Sequence, residues 1–444
     1  MMQQYKVGMI SLGCAKNLVD SERMLGALKE AGYVITNRAE EAHVLLVNTC
    51  AFIESAREES IEAILDASRY KEEGQCQVLV VTGCLSQRYG EELVKELPEV
   101  DAFAPIRAAG GIVKLVGTAL KGERLHDQEH YGLVEVDRLS RVLATPSHTA
   151  YLRLADGCDN RCSYCAIPAI RGSLESRPVE DIVKEARQLA EDGVQELVLI
   201  AQDTTAYGHD RADGEDLGVL IRQLGQVEVP WVRVMYAHPA HLTAATIQAM
   251  SESPNCLAYL DLPLQHASDR ILKAMNRPEV EKNWQAIERL RRHMPDITLR
   301  TTFLVGFPGE TQGDFSELLA FVEEVGFDHL GAFTYSPEED TPAIALPGAV
   351  PSSLADERLH RVMAVQQEIV AAKNRGRIGK VYPVLLDRIQ GEGLRLGRAP
   401  HQAPETDGWV LVQRSHHKVG RIIEVQITGS GTYDLTGRVA PSGV

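Results

Sequence analysis

Cys158, Cys162 and Cys165 fall within eight residues as C-x3-C-x2-C. Thiolates at that spacing can grip three corners of an iron–sulfur cubane and leave the fourth iron open to a small molecule. Structural zinc is the competing chemistry, but it wants four ligands. No nearby cysteine or histidine completes the set, and the closest later histidine is His209 in a polar stretch. Three further cysteines, Cys14, Cys50 and Cys84, are scattered in sequence but alike in setting. Each follows an apolar run and precedes a helical pattern. In a parallel sheet such positions converge on the edge where ligands bind, so these three could hold a second cluster with its own open iron. Cys76 stands at the start of its run and is expected at the opposite edge. Cys256 reads as a core cysteine.

The elements that must position these residues form three segments. Residues 1–125 alternate strands (5–10, 43–47 and 77–81) with amphipathic helices (18–30, 54–69 and 87–97). Gly32 and Pro98 stop two of the helices. That alternation predicts a parallel α/β domain. Residues 126–147 are weakly patterned and read as a linker. Residues 148–375 contain six candidate strands (151–154, 196–200, 231–235, 258–262, 298–304 and 329–333) with helices between them. Six βα units in a row predict a partial (β/α)6 barrel, with a doubly wound open sheet as the competing arrangement. Residues 376–444 read as short strands (381–386, 408–411, 422–427 and 433–437) forming a small antiparallel β-barrel.

The chain has 444 residues, eight cysteines and a net charge of −16. No apolar run is long enough to span a membrane. Residues 1–17 show no apolar leader, so a reducing cytoplasm is expected, where clustered cysteines mean metal or redox chemistry rather than disulfides. The acidic balance argues against a nucleic-acid partner. Residues 376–444 depart from it, with nine basic against six acidic side chains, which keeps that option open for the tail.

The cysteine triplet, with Tyr164 just before the last cysteine, resembles the motif of the radical S-adenosylmethionine (SAM) superfamily. The whole chain resembles the methylthiotransferase family, and its tail resembles a TRAM domain. Strings that look like the RimO branch are Ser11 to Glu22 (SLGCAKNLVDSE), Gln202 to Gly208 (QDTTAYG), Tyr236 to Pro239 (YAHP) and Leu262 to His266 (LPLQH). Ala15, where that branch usually has proline, and His401-Gln402 in the tail depart from the pattern. The resemblance implies two 4Fe–4S clusters, on Cys14, Cys50 and Cys84 and on Cys158, Cys162 and Cys165, with SAM as methyl donor and radical source. It implies addition of a methylthio group to the β-carbon of an aspartate of ribosomal protein S-twelve. An electron donor such as flavodoxin, a sulfur source and a monomeric enzyme are implied too. The sister branch modifies an isopentenyl-adenosine of tRNA. A non-enzymatic ribosome- or RNA-binding protein with structural metal is the alternative of another class.

Cofactor contacts are expected from Tyr164, Gln202, Tyr236, His238, Gln265 and Gly306. All but Tyr164 follow predicted barrel strands and should face the cluster mouth. The plainer reading is loop residues satisfying backbone groups. Around Gly306 it is a turn leading into a helix, with Thr311 as N-cap and Asp314 closing a capping box. His416 and His417 read as a solvated loop.

Overall fold

The computed structural model describes residues 4–441. The first sheet has six parallel strands: β1 (Lys6–Ser11), β2 (Val34–Ile35), β3 (Val44–Thr49), β4 (Val78–Gly83), β5 (Ala102–Phe103) and β6 (Leu125–His126). Their order is β2-β1-β3-β4-β5-β6. β3 and β4 are buried along their whole length, which is why they read as unbroken apolar runs. The strand order reverses between β1 and β3, and ligands in such sheets bind at the carboxyl ends of the strands at that switch point. Cys14 follows β1, Cys50 follows β3 and Cys84 follows β4.

The second sheet is also parallel: β7 (Thr149–Arg153), β10 (Glu196–Ile200), β11 (Trp231–Val234), β12 (Cys256–Asp261), β13 (Thr298–Val305) and β14 (His329–Thr334). These strands neighbour one another in chain order, and β14 does not pair with β7. The result is an open six-stranded barrel, as the sequence predicts. A short antiparallel hairpin, β8 (Ala155–Asp156) with β9 (Glu175–Ser176), frames the C-x3-C-x2-C loop.

The barrel interior is packed by residues from all three segments. Tyr151, Val198, Trp231 and Tyr259 of the strands meet Val19 of helix Ala15–Glu30 and Leu385 and Ala403 of the tail. The 126–147 stretch is more than a linker. It contains a helix, Leu133–Asp137, whose buried Asp137 accepts hydrogen bonds from Arg153 on β7.

The tail closes into a five-stranded barrel of β15 (Val381–Gly391), β16 (Leu394–Arg398), β17 (Val410–Gln413), β18 (Ile422–Ser430) and β19 (Leu435–Val439). It is not wholly antiparallel, because β17 and β19 pair in parallel. The glycine-interrupted run 394–398 is a strand that the sequence reading passed over. Docking is polar and buried. Arg398 bonds Glu196 at 2.6 Å and Asp387 at 3.0 Å, and Asp407 accepts from the Tyr259 hydroxyl at 2.8 Å. The departing pair His401-Gln402 lies in this docked loop, where the His401 carbonyl contacts Nε2 of His329 at 2.7 Å. No helix among the described residues is long and apolar enough to cross a membrane.

Candidate active site

Cys14 caps the start of helix Ala15–Glu30, and Cys84 opens helix Cys84–Glu96. Gly13 and Gly83 precede them with φ of +87° and +96°. A Cβ on Gly13 would stand 2.9 Å from the Cys50 Cβ and 3.2 Å from its Sγ. Glycine therefore lets the Cys14 turn close onto Cys50. Burial pushes the Cys84 thiol up to about 12, with Arg171 opposing and Cys14 and Cys50 adding to the rise. Burial likewise raises Cys50. At Cys14 the upward push of burial is outweighed by Lys16 and Arg171, and the thiol is lowered.

The second triad is built the same way. Gly157, at φ +72°, has no room for a side chain, since a Cβ would meet the Ser173 carbonyl oxygen at 2.0 Å. The Cys158 N–H donates to the Gly172 carbonyl at 3.0 Å, and the Cys165 N–H donates to the Cys162 carbonyl at 3.1 Å. Burial pushes Cys165 up to about 12, with Cys162 and Cys158 contributing. All eight cysteines are free thiols. Cys76 and Cys256 lie at the amino-terminal ends of β4 and β12, on the far edge of each sheet. Each triad thus offers three soft donors and no fourth, which fits a cubane with one open iron better than a closed zinc site.

Of the expected cofactor contacts, Gln202, Tyr236 and His238 follow β10 and β11 at the carboxyl edge of the second sheet. Gln202 donates to Asp156 at 2.6 Å, and its buried Oε1 has no partner. Tyr236, at φ +59°, lies with its ring 4.0 Å beneath the Lys16 ammonium. His238 is buried, and its Nδ1 accepts the Ala240 N–H at 3.2 Å, so a neutral ring carries its proton on Nε2. Burial, then Arg277, pushes it down to about 3. It stacks on His241 at 5.0 Å, which contacts Asp203 at 2.7 Å. Gln265 contributes backbone: at φ +80° its N–H bonds the Thr302 carbonyl at 3.0 Å. Tyr164 packs with Ile271 and Phe307. Gly306 borders a cavity of about 260 Å³. Its N–H is taken by Glu310, and Ala355 of helix Ser352–Arg375 would stand 2.5 Å from a Cβ there. Packing demands that glycine, and the Thr311–Asp314 capping box is present.

Three basic residues at the site were not singled out from sequence. Arg277 points Nη1 at the Cys162 sulfur, 3.9 Å away. Arg171 is buried beside the first triad. Its Nη1 bonds both Asp156 oxygens at 3.0 Å, and its Nη2 bonds Asp20 at 3.3 Å and reaches the Cys84 sulfur at 3.7 Å. Lys16 sits two residues after Cys14 and is 8% exposed. Only Lys16 had a sequence signal, its place in the Ser11–Glu22 string.

Residues 6–105 match Uncharacterized protein family UPF0004, residues 152–322 the Radical SAM superfamily and residues 378–440 the TRAM domain. Among solved structures, the radical SAM methyltransferase TsrM from Kitasatospora setae, with cobalamin and a 4Fe–4S cluster bound, aligns with a TM-score of 0.57 at 13% identity. The alignment covers 77% of this chain and 74% of that one. OxsB, a cobalamin-dependent SAM radical enzyme, aligns with a TM-score of 0.53, covering 82% and 56%. These two share the fold. The sequence likeness is much nearer to two proteins named ribosomal protein uS12 methylthiotransferase RimO. That of Desulforamulus reducens is 47% identical over 98% of this chain and 99% of its own length. That of Heliobacterium modesticaldum is 47% identical over 97% and 94%. Identity of that order across all three segments means that this chain belongs to the RimO family of methylthiotransferases.

Proposed function

We propose that this chain adds a methylthio group to the β-carbon of an aspartate of ribosomal protein S-twelve, in the cytoplasm and as a monomer. In this reading residues 1–125, 148–375 and 376–444 are its three domains, and a reductant such as flavodoxin and a sulfur source serve it. The observation that carries the reading is the pair of three-cysteine sets, each just past strand ends of its own parallel sheet. Cys158, Cys162 and Cys165 would hold one 4Fe–4S cluster, and Cys14, Cys50 and Cys84 the other. Bound there, the first supplies the electron that splits SAM into methionine and a deoxyadenosyl radical, and the second supplies the sulfur.

The protein's own part is to hold, orient and shield. An aspartate β-hydrogen is not acidic enough for a side-chain base, so residues at the mouth position the substrate rather than take a proton. Gln202 presents a free carbonyl oxygen to a ligand N–H, and the His238 Nε2–H presents a donor. Helix Ala15–Glu30 and the tail loop fill the open side and base of the barrel, which keeps water from a reactive centre.

The test is iron and acid-labile sulfide, expected at roughly eight each per chain for two cubanes, together with anaerobic turnover. Replacing Cys158, Cys162 and Cys165 by Ala should halve both contents and abolish deoxyadenosine release. Replacing Cys14, Cys50 and Cys84 should also halve them and stop methylthiolation of S-twelve. Methylthiolated tRNA with unmodified S-twelve would overturn the substrate assignment, and zinc without sulfide would overturn the chemistry.

A further inference from the structure

Lys16 has only 8% of its surface exposed, and that remnant includes its ammonium, which is not among the fully enclosed polar atoms. Yet among the described residues its ammonium has no carboxylate within 4 Å and donates no hydrogen bond. Its one recorded partner is the Tyr236 ring, 4.0 Å from Nζ. Buried cations are ordinarily paired, and the buried arginines around it obey that rule. Arg153 has Asp20 and Asp137. Arg171 has Asp156 and Asp20. Arg233 has Glu196. Lys16, unlike these arginines, has no carboxylate but a π face and the nearby Cys14 sulfur.

Its place is informative. It follows Cys14 by two residues and lies over a tyrosine that leads out of β11 at the barrel mouth. The Tyr236 N–H donates to Asp261 at the end of β12 at 3.2 Å, and Asp261 pairs with Arg300 of β13 at 2.9 Å. The ammonium, two residues past Cys14, therefore stands against a residue at the carboxyl edge of the barrel strands. A cofactor carboxylate has another cation nearer its own triad, because Arg277 lies beside Cys162 and has no carboxylate partner among the described residues.

We infer that Lys16 binds the side-chain carboxylate of the target aspartate and so selects an acidic residue as substrate. This rests on the reading that S-twelve aspartate is the substrate, and it makes Lys16 the residue that distinguishes that substrate from a neutral one. A carboxylate held by Lys16 puts the β-carbon one bond away, within the space between the two triads. The tyrosine face restrains the ammonium before substrate arrives, so less freedom is lost on binding. Lysine suits the task because its compact charge needs no planar fork to match.

The test compares the holoenzyme and its Lys16→Met and Lys16→Arg variants. Each is given S-twelve and S-twelve with the target aspartate replaced by asparagine, and affinity is read by titration alongside anaerobic turnover. The wild type is expected to bind the aspartate form at least about tenfold tighter than the asparagine form, the scale of a desolvated charge pair. Lys16→Met should bind both forms alike, and Lys16→Arg should keep most of the preference. An undiminished preference in Lys16→Met would overturn the assignment. So would a rise in the SAM requirement of Lys16→Met with the preference intact, since the lysine would then serve the cofactor. If the Met variant does not fold, loss of the preference by Lys16→Gln, or its retention, decides the matter. A wild type that leaves S-twelve unmodified would instead overturn the reading on which the inference rests.

Discussion

A single guanidinium ties the barrel domain to the first triad. Arg171 follows the second triad in the chain, yet it touches Cys84, Asn17 and Asp20 of the first segment. Its Nη1, donating to both Asp156 oxygens, explains that carboxylate's state. Burial pushes Asp156 up, but Arg171, Arg153 and Arg107 outweigh burial and pull it down to about 2. Arg171→Met would leave Asp156 buried with only the more distant Arg153 and Arg107, at 4.0 and 3.8 Å. Breaking a buried pair by deleting one partner costs about 3–5 kcal/mol, so the variant's thermal unfolding midpoint should fall clearly. Arg171→Lys should restore only part of it, because one ammonium cannot serve Asp156 with one nitrogen and Asn17 and Asp20 with another. An unchanged midpoint in the Met variant would contradict this account.

At the scale of elements, the segment after β14 is strapped across the first domain. Glu338 is 2% exposed and receives Arg57, Arg88 at 3.3 Å, and the Glu54 N–H at 3.0 Å where helix Glu54–Ser68 begins. Arg88 also donates to the Ala51 carbonyl at 3.2 Å, beside Cys50. Besides Ser336 of its own segment, three donors on two helices of the first domain share this charge and fix the strap. Glu338→Gln keeps the shape and removes the charge, at a cost of about 2 kcal/mol once the partial exposure of Arg57 is allowed for. Hydrogen exchange should then quicken in residues 335–347 and in the first turn of the 54–68 helix, and not in β3 or β4. Uniform protection in both proteins would refute the strap.

Over the whole molecule, three folding units share one interior, and charge pairs fasten them. Asp387 of the tail meets His148 at 2.9 Å and Arg398 at 3.0 Å. Burial raises its pKa, but His148 and Arg398 outweigh that, so the folded value lies below the usual 3.8. A depressed folded pKa stabilises fully above the unfolded value and is lost as pH falls through the folded one. Asp387→Asn should therefore unfold more readily than wild type at neutral pH. The gap should close as pH drops below about 4. A gap that stays constant down to pH 3 or so would show that the carboxylate charge plays no part in docking.

The sequence by itself determined the fold class, most strands, and the placing of Cys14, Cys50, Cys84 and Cys158 just past strand ends. A thiolate's chemistry is local, and the alternation of strand and helix is written in apolar spacing. β10, for instance, runs over the residues expected, because ELVLI is an apolar run closed at both ends. What only the tertiary structure decided lies between segments. The parallel pairing of β17 with β19, the folding of 126–147 against β7, and the filling of the barrel from the tail all depend on contacts between residues far apart in the chain. The same holds for charge. A lysine in a string of letters has no sign of being paired or unpaired. That Arg171 is saturated while Lys16 faces only a tyrosine ring follows from which carboxylates the fold brings near, and Coulomb interactions act on distance through space rather than along the sequence.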